Sequence, residues 1–211
     1  MDTKKRAAAV VAKLETIYPE AVCSLDYGEA WQLLFSARLA AQCTDKRVNE
    51  VAKDLYAKYP TLEAMADADL AELESIVRPT GLFRTKAHDL KYGAAMLISE
   101  YGGVVPDTMD ELLKLPGVGR KIANLMLGDV YGKPAVVADT HCIRLSNRMG
   151  FCDSKDPKKV EMQLRGIIEP EKQNDFCHRL VLFGRDTCTA RSPKCDTCPL
   201  KADGLCPQIL S

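Results

Sequence analysis

The chain has 211 residues and a mass of 23.3 kDa, enough for one large domain or two compact lobes. Its 46% hydrophobic and 27% charged residues are typical of a soluble globular protein, and no apolar run is long enough to cross a bilayer. The 29 basic and 29 acidic residues cancel, which argues against a protein that coats nucleic acid by bulk charge.

The start of the chain bears on where the protein works. Met1–Arg6 is basic, but the apolar stretch that follows, Ala7–Val11, is too short for the core of a signal peptide, and Lys13 comes soon after it. We therefore expect a cytoplasmic protein with no membrane association.

Hydrophobic periodicity predicts helices along almost the whole chain, so we expect an all-α fold. Asp45 is the expected N-cap of the third helix, and Gly132-Lys133-Pro134 is a plausible seam between two lobes. The predicted helices are 4–17, about 31–41, 45–59, 69–77, 83–101, 107–114, 119–131, 140–149, 157–168 and 173–186.

The densest motif is a turn between two helices, Leu115-Pro116-Gly117-Val118-Gly119, followed by Arg120 and Lys121. Gly117 and Gly119 permit backbone angles that a side chain would block, and they leave room for another molecule to approach. The amides that open the next helix suit a phosphate. A plain connection without a ligand is the alternative for such a turn taken alone.

Two residues near this turn are candidates for chemistry. Lys121 lies in the first turn of the new helix, where the helix dipole disfavours an ammonium and favours the neutral amine that a nucleophile needs. Asp139 follows a short apolar run and is a natural N-cap for the next helix, which would also mount its carboxylate rigidly. A surface lysine and a purely structural cap are the alternatives.

Four of the nine cysteines fall in the last 24 residues, at Cys188, Cys195, Cys198 and Cys206, with six, two and seven residues between them. In a chain without a secretion signal this clustering indicates a metal or iron–sulfur centre rather than disulfides. Four thiolates suit zinc or an iron–sulfur cluster, although a zinc ribbon usually has two Cys-x-x-Cys pairs. The other five cysteines are expected to be small buried hydrophobes.

The Leu-Pro-Gly-Val-Gly-Arg-Lys string, the Asp139 segment and the cysteine spacing resemble the endonuclease III family of DNA glycosylases, over about Val22 to Cys206. The resemblance implies two helical lobes with a DNA-binding cleft between them. Residues 22–133 would carry the helix-hairpin-helix, and residues 1–21 plus 134–211 a [4Fe–4S] cluster held by the four cysteines. The chain departs from the family in Ala138, usually Val, and in the last cysteine gap, usually five residues.

The same resemblance implies where DNA is contacted. Gln42 would fill the gap left by a flipped nucleotide, Thr44 and Asp45 would line the base pocket, and Leu82 would act as an apolar wedge. An ordinary polar residue at a helix end and an ordinary exposed leucine are the alternatives for Gln42 and Leu82. The further implied contacts are Lys86, Gly117, Val118, Gly119, Arg120, His141, Arg144, Arg185 and Arg191.

The chemistry that the resemblance implies is base excision with strand cleavage. Lys121 would attack C1′ and form a Schiff base, Asp139 would stabilise positive charge on the sugar, and β-elimination would nick the strand 3′ to the abasic site. The expected partner of this monomer is duplex DNA with oxidised or ring-saturated pyrimidines or abasic sites. A glycosylase for T or U opposite G, and a non-catalytic iron–sulfur DNA-binding protein, are the alternatives.

Overall fold

The computed structural model describes residues 2–207, which form α-helices and short 3-10 turns without a β-strand, as the sequence predicts. Met1 and residues 208–211, the two ends of the predicted cluster domain, lie outside the described residues. The α-helices of residues 2–207 are α1 (Thr3–Ile17), α2 (Ala30–Leu39), α3 (Asp45–Lys58), α4 (Leu62–Asp67), α5 (Leu70–Val77), α6 (Phe83–Tyr101), α7 (Met109–Leu112), α8 (Arg120–Asp129), α9 (Thr140–Arg148), α10 (Pro157–Ile167), α11 (Gln173–Asp186) and α12 (Pro199–Ala202).

The chain divides into two compact units, one made of Met1–Val22 with Gly132–Ser211 and the other of Cys23–Tyr131. We call them the cluster unit, because it contains the four terminal cysteines, and the hairpin unit, because it contains the glycine turn. Within residues 2–207, no helix is both long enough and apolar enough to span a bilayer.

In the hairpin unit the long helix α6 packs against α4, α5 and α2. It buries Ala87, Leu90, Ala94 and Leu97, whose spacing of three and four residues places them on one face. At α2, the ring of Trp31 meets two other aromatic rings edge to face, each within 6 Å. This core carries the loops that precede α3, α6 and α8.

In the cluster unit α1 packs against α10 and α11, and α9 packs against the same two helices. The apolar face of α1 buries Ala7, Val10, Val11 and Leu14, as its periodicity predicts. Arg179 of α11 is buried and its Nε donates to the Tyr18 carbonyl at 3.0 Å, which ties the segment after α1 to this core.

Two local expectations need correction. The N-cap of α3 is Thr44, whose hydroxyl accepts a hydrogen bond from the Arg47 amide at 3.3 Å, and Asp45 is the first helical residue. The short helices α4 and α12 were not expected, because six and four residues are too few for a periodic pattern to show.

Candidate active site

The glycine turn joins α7 to α8 and leaves the first amides of α8 without helical partners. The first helical hydrogen bond of α8 runs from the Ala123 amide to the Gly119 carbonyl at 2.9 Å. The amides of Lys121 and Ile122 precede that bond, and Gly119 at the N-cap has no side chain to cap them. These N–H groups and the helix dipole form an anion-binding end.

The two glycines of the turn have different reasons to be glycine. Gly117 has φ +70°, and a Cβ there would lie 2.3 Å from both Arg38 Nε and Asp89 Oδ2. Gly119 has φ −102°, an extended conformation open to any residue, and a Cβ there would meet nothing within 4 Å. The expectation that both glycines need special backbone angles is therefore wrong for Gly119, which only leaves open space.

The turn rests on an ion pair from the core of the hairpin unit. Arg38 Nε of α2 donates to Asp89 Oδ2 of α6 at 2.6 Å, and both side chains are nearly buried. The pair touches the position of Gly117 closely enough to exclude any side chain there. The two charged groups therefore pack against the turn from the interior of the hairpin unit.

Lys121 is the second residue of α8 and is exposed, as its place in the sequence predicts. The pKa of the nearby Cys23 thiol is raised to about 11, mainly by burial and in smaller part by the charges of Asp129 and Asp45, while a main-chain hydrogen bond at Leu25 and the charge of Lys121 act in the opposite direction. Lys121 and Asp45 therefore lie within electrostatic range of the same thiol. The fold brings the candidate nucleophile and one predicted pocket residue into one neighbourhood.

Asp139 caps α9, as expected. Its Oδ1 accepts a hydrogen bond from the Cys142 amide at 2.6 Å, and the three residues before it, Val136–Ala138, are buried. The carboxylate is thus held by a buried segment on one side and a helix on the other. One carboxylate oxygen is used by this cap, which leaves the second for other chemistry.

Gln42 and Leu82 share an unusual backbone. They are the two non-glycine residues of the described chain with positive φ, at 56° and 50°. Both are exposed, and Leu82 has 52% of its surface accessible. A left-handed non-glycine residue costs about 1 kcal/mol or more, and such strain clusters at functional positions. The strain supports the predicted DNA contacts of both residues, independently of the sequence resemblance.

Lys86 is not placed as the sequence predicted. We expected a DNA contact, but its side chain is fully buried. Its Nζ donates to the carbonyls of Leu39 and Thr80, at 2.8 and 2.7 Å. The ammonium donates its hydrogen bonds to main-chain acceptors in the interior of the hairpin unit. A direct phosphate contact by Lys86 is therefore excluded in this structure.

The four terminal cysteines line one pocket of the cluster unit. Four thiols around one pocket suit the ligands of a single zinc or iron–sulfur centre. The pocket is lined by Arg148, Met149, Phe183, Thr187, Cys188, Pro193, Lys194, Cys195, Cys198, Leu200, Lys201 and Cys206.

Arginines hold the cysteine loop. Buried Arg148 donates from Nη1 to Cys188 Sγ at 3.4 Å and to the Thr189 carbonyl at 2.7 Å, and from Nη2 to the Ala190 carbonyl at 2.8 Å. Near the end of the loop, Arg6 of α1 donates to the Leu205 carbonyl at 3.1 Å. The N–H group directed at Cys188 suits a thiolate ligand.

The other predicted contacts of the cluster unit are divided between interior and surface. Arg144 Nη2 donates to the carbonyls of Gly184 and Cys188, at 3.1 and 2.9 Å, and lies 3.3 Å from His141 Nδ1. Both side chains are half-buried, whereas Arg185 and Arg191 are exposed. DNA contacts by these four residues stay predictions, as do those of Val118 and Arg120 in the hairpin unit.

Sequence reasoning missed the residues that hold the site. Arg38 and Asp89 are 51 positions apart, and Arg6 and Leu205 are 199 apart, so no local motif joins them. One signal was available, because Arg38 is the single charged residue of α2, a helix whose side chains are mostly buried. A charged residue within a buried helix requires a partner.

The fold and these two sites define a class, the helix-hairpin-helix DNA repair proteins with an iron–sulfur loop. Residues 35–170 match the HhH-GPD superfamily base excision DNA repair protein family, and residues 188–203 match the iron-sulfur binding domain of endonuclease III. The second match ends before Cys206, so the place of Cys206 in the pocket is known from the structure alone.

Similar proteins narrow the class. Endonuclease III of Synechocystis sp. is 42% identical over 205 residues, which are 97% of this chain and 93% of that protein. A non-covalent endonuclease III–DNA complex and a trapped endonuclease III–DNA covalent intermediate each have a TM-score of 0.92 at 42% identity, over 99% of this chain and 97% of theirs. The chain belongs to the endonuclease III family, and a [4Fe–4S] cluster is its cofactor.

Proposed function

We propose that this protein is a bifunctional DNA glycosylase and DNA-(apurinic or apyrimidinic site) lyase that removes oxidised or ring-saturated pyrimidines from duplex DNA. The observation that carries the proposal is Lys121, exposed in the first turn of the helix that opens with the anion-binding amides. A structure similar to this chain is a covalent intermediate with DNA, as a lysine nucleophile requires.

Binding begins with the DNA backbone. The α8 amides bind a phosphate. This contact fixes the register of the duplex but does not depend on its sequence. The target nucleotide must leave the stack to be reached, and weak pairing at a damaged base makes this easier. Gln42 and Leu82 occupy the space that opens, and Thr44 and Asp45 line the pocket for the flipped base.

The reaction then uses Lys121 and Asp139. After losing a proton, Nζ of Lys121 attacks C1′, the C1′–N bond breaks, and the base leaves with the bonding electrons and gains a proton. Ring opening gives a Schiff base between Nζ and C1′. Loss of a C2′ proton breaks the 3′ C–O bond, and water then releases Lys121. Asp139, held rigidly as the cap of α9, stabilises the positive charge on the sugar and moves protons at Nζ.

The cluster has a structural role. When bound, it would be held by Cys188, Cys195, Cys198 and Cys206, and it supplies a cross-link that fixes the loop. Arg191, which lies in this loop and is exposed, can then contact a phosphate. We also propose that the protein acts as a monomer in the cytoplasm, on the nucleoid when bound to DNA.

The test is base release and borohydride trapping on a set of duplexes. We expect release of thymine glycol, a trapped covalent complex, and loss of that complex in Lys121→Ala but not in Lys53→Ala, a control at an exposed lysine of α3. Faster release of T from a T·G mismatch would indicate the mismatch glycosylase. Absence of a trapped species with every pyrimidine lesion and with an abasic site would indicate a non-catalytic DNA-binding protein.

A further inference from the structure

A fully buried lysine lies at the start of α6, far from where lysines are usually found. Lys86 is the fourth residue of the helix and its accessible surface is 0%. Burial lowers the pKa of Lys86, because an ammonium loses its hydration in the interior; the charge of Arg38 lowers it further, and Cys43 acts in the opposite direction. A buried charge of this kind persists only if its donors are satisfied.

All three donors of the ammonium have acceptors. Nζ donates to the Leu39 carbonyl at 2.8 Å, to the Thr80 carbonyl at 2.7 Å and to Thr80 Oγ1 at 3.4 Å. Leu39 is the last residue of α2, so its carbonyl has no helical partner. One nitrogen therefore joins the C-terminal end of α2 to the turn before α6.

These two anchor points lead directly to the strained residues. Gln42 follows Leu39 by three positions, and Leu82 follows Thr80 by two. Both residues have positive φ and are exposed. A strained loop keeps its conformation only when its surroundings determine it. The Nζ of Lys86 is hydrogen-bonded to a residue just before each of the two loops.

We propose that Lys86 is a positioning residue that fixes the spacing between the Gln42 loop and the Leu82 loop, so that both enter the duplex together. The inference rests on the proposed function, because it takes these two loops as the DNA-inserting segments. Lys86 acts through them and does not touch DNA.

The experiment compares trapping on an abasic duplex with trapping on the same abasic strand alone. A single strand has no opposite base to replace, so Lys121 can react there without the two loops in register. We expect Lys86→Met to lower the trapping rate on the duplex by about 10- to 100-fold and on the single strand by less than about threefold. Leu97→Ala, which also disturbs the buried face of α6, should leave the ratio of the two rates at the wild-type value.

A second measurement tests whether Lys86 affects trapping through the Gln42 and Leu82 loops. If Lys86 acts through the two loops, Gln42→Ala and Leu82→Ala should each cost less on the duplex in the Lys86→Met background than alone, because they remove the same function. Should Lys86→Met not fold, as circular dichroism would show, Lys86→Gln takes its place.

Equal losses on duplex and single strand, or additive effects with both loop variants, would overturn the proposal. Failure of the proposed function has a different signature, because wild-type protein would then trap neither substrate.

Discussion

The two units hold their functional groups by different supports. In the hairpin unit, Lys121, Gln42 and Leu82 are exposed side chains at a helix start and on two loops, and buried charged side chains hold those segments from within. In the cluster unit, the cysteines line a pocket and Asp139 caps a helix, while arginines hold the cysteine loop by its carbonyls. A buried charge is therefore a support in both units.

This contrast predicts where substitutions act. A change in such a functional group should alter chemistry or cofactor content, and it should affect folding only where the group holds the cluster. A change in a supporting group should alter stability together with function, because the support is part of the core.

The largest effect is expected at Asp139. Asp139→Asn keeps the helix cap, since asparagine caps as well as aspartate, but it loses the carboxylate charge. We expect kcat to fall by about 10²- to 10⁴-fold with the melting temperature nearly unchanged. Asp139→Ala should lose the same activity and, in addition, about 1 kcal/mol of stability from the cap. Single-turnover base release measures the activity of both variants, and thermal unfolding measures their stability. Equal melting temperatures for the two variants would contradict the capping role.

Cys206 tests the cluster unit. Seven residues separate it from Cys198, yet its thiol lines the same pocket as the other three. We expect Cys206→Ser to lose iron and visible absorbance and to unfold at lower temperature, because cluster binding contributes folding energy to the loop. Cys152→Ala, at a buried cysteine outside the pocket, should lose about 1 kcal/mol but keep its iron. Full iron content in Cys206→Ser would remove Cys206 from the ligand set.

Gly117 belongs to the anion-binding turn and also lies directly against the Arg38–Asp89 ion pair. Gly117→Ala adds a Cβ at φ +70° that meets the Arg38–Asp89 pair, so we expect a loss of about 1–3 kcal/mol and weaker DNA binding. Gly166→Ala, in α10 with open space around it, should instead gain about 0.5–1 kcal/mol. Chemical denaturation measures the free energy of unfolding and shows whether each variant loses or gains stability. A Gly117→Ala variant as stable as wild type would show that the ion pair does not support the turn.

An effect on stability no larger than that of Gly117→Ala is expected at Arg6, a support of the cluster loop. Arg6 donates to the carbonyls of Met149 and Leu205, at 2.5 and 3.1 Å, and stacks on the Phe151 ring. We expect Arg6→Ala to cost about 1–3 kcal/mol and to speed iron loss to a chelator. Lys5→Ala, at the exposed neighbour, should leave the rate of iron loss unchanged. Equal iron-loss rates in the two variants would show that α1 does not hold the loop.

The sequence predicts the functional side chains better than it predicts the buried residues that hold them in place. Lys121 and Asp139 were located because a glycine turn and an apolar run mark helix starts locally. Lys86 was misplaced because a charged residue beside a loop is usually exposed, and only the convergence of Leu39 and Thr80 in space buries it. Supports depend on contacts between distant segments, and one sequence does not display them.

The central claim is that the lysine after the glycine turn is the nucleophile. The direct measurement is borohydride reduction of the wild-type protein on a duplex with one abasic site, followed by peptide mapping of the protein–DNA adduct. We predict that the sugar carbon is attached to Nζ of Lys121 and to no other amine. An adduct at a different lysine or at the N-terminal amine, with Lys121 unmodified, would contradict the account.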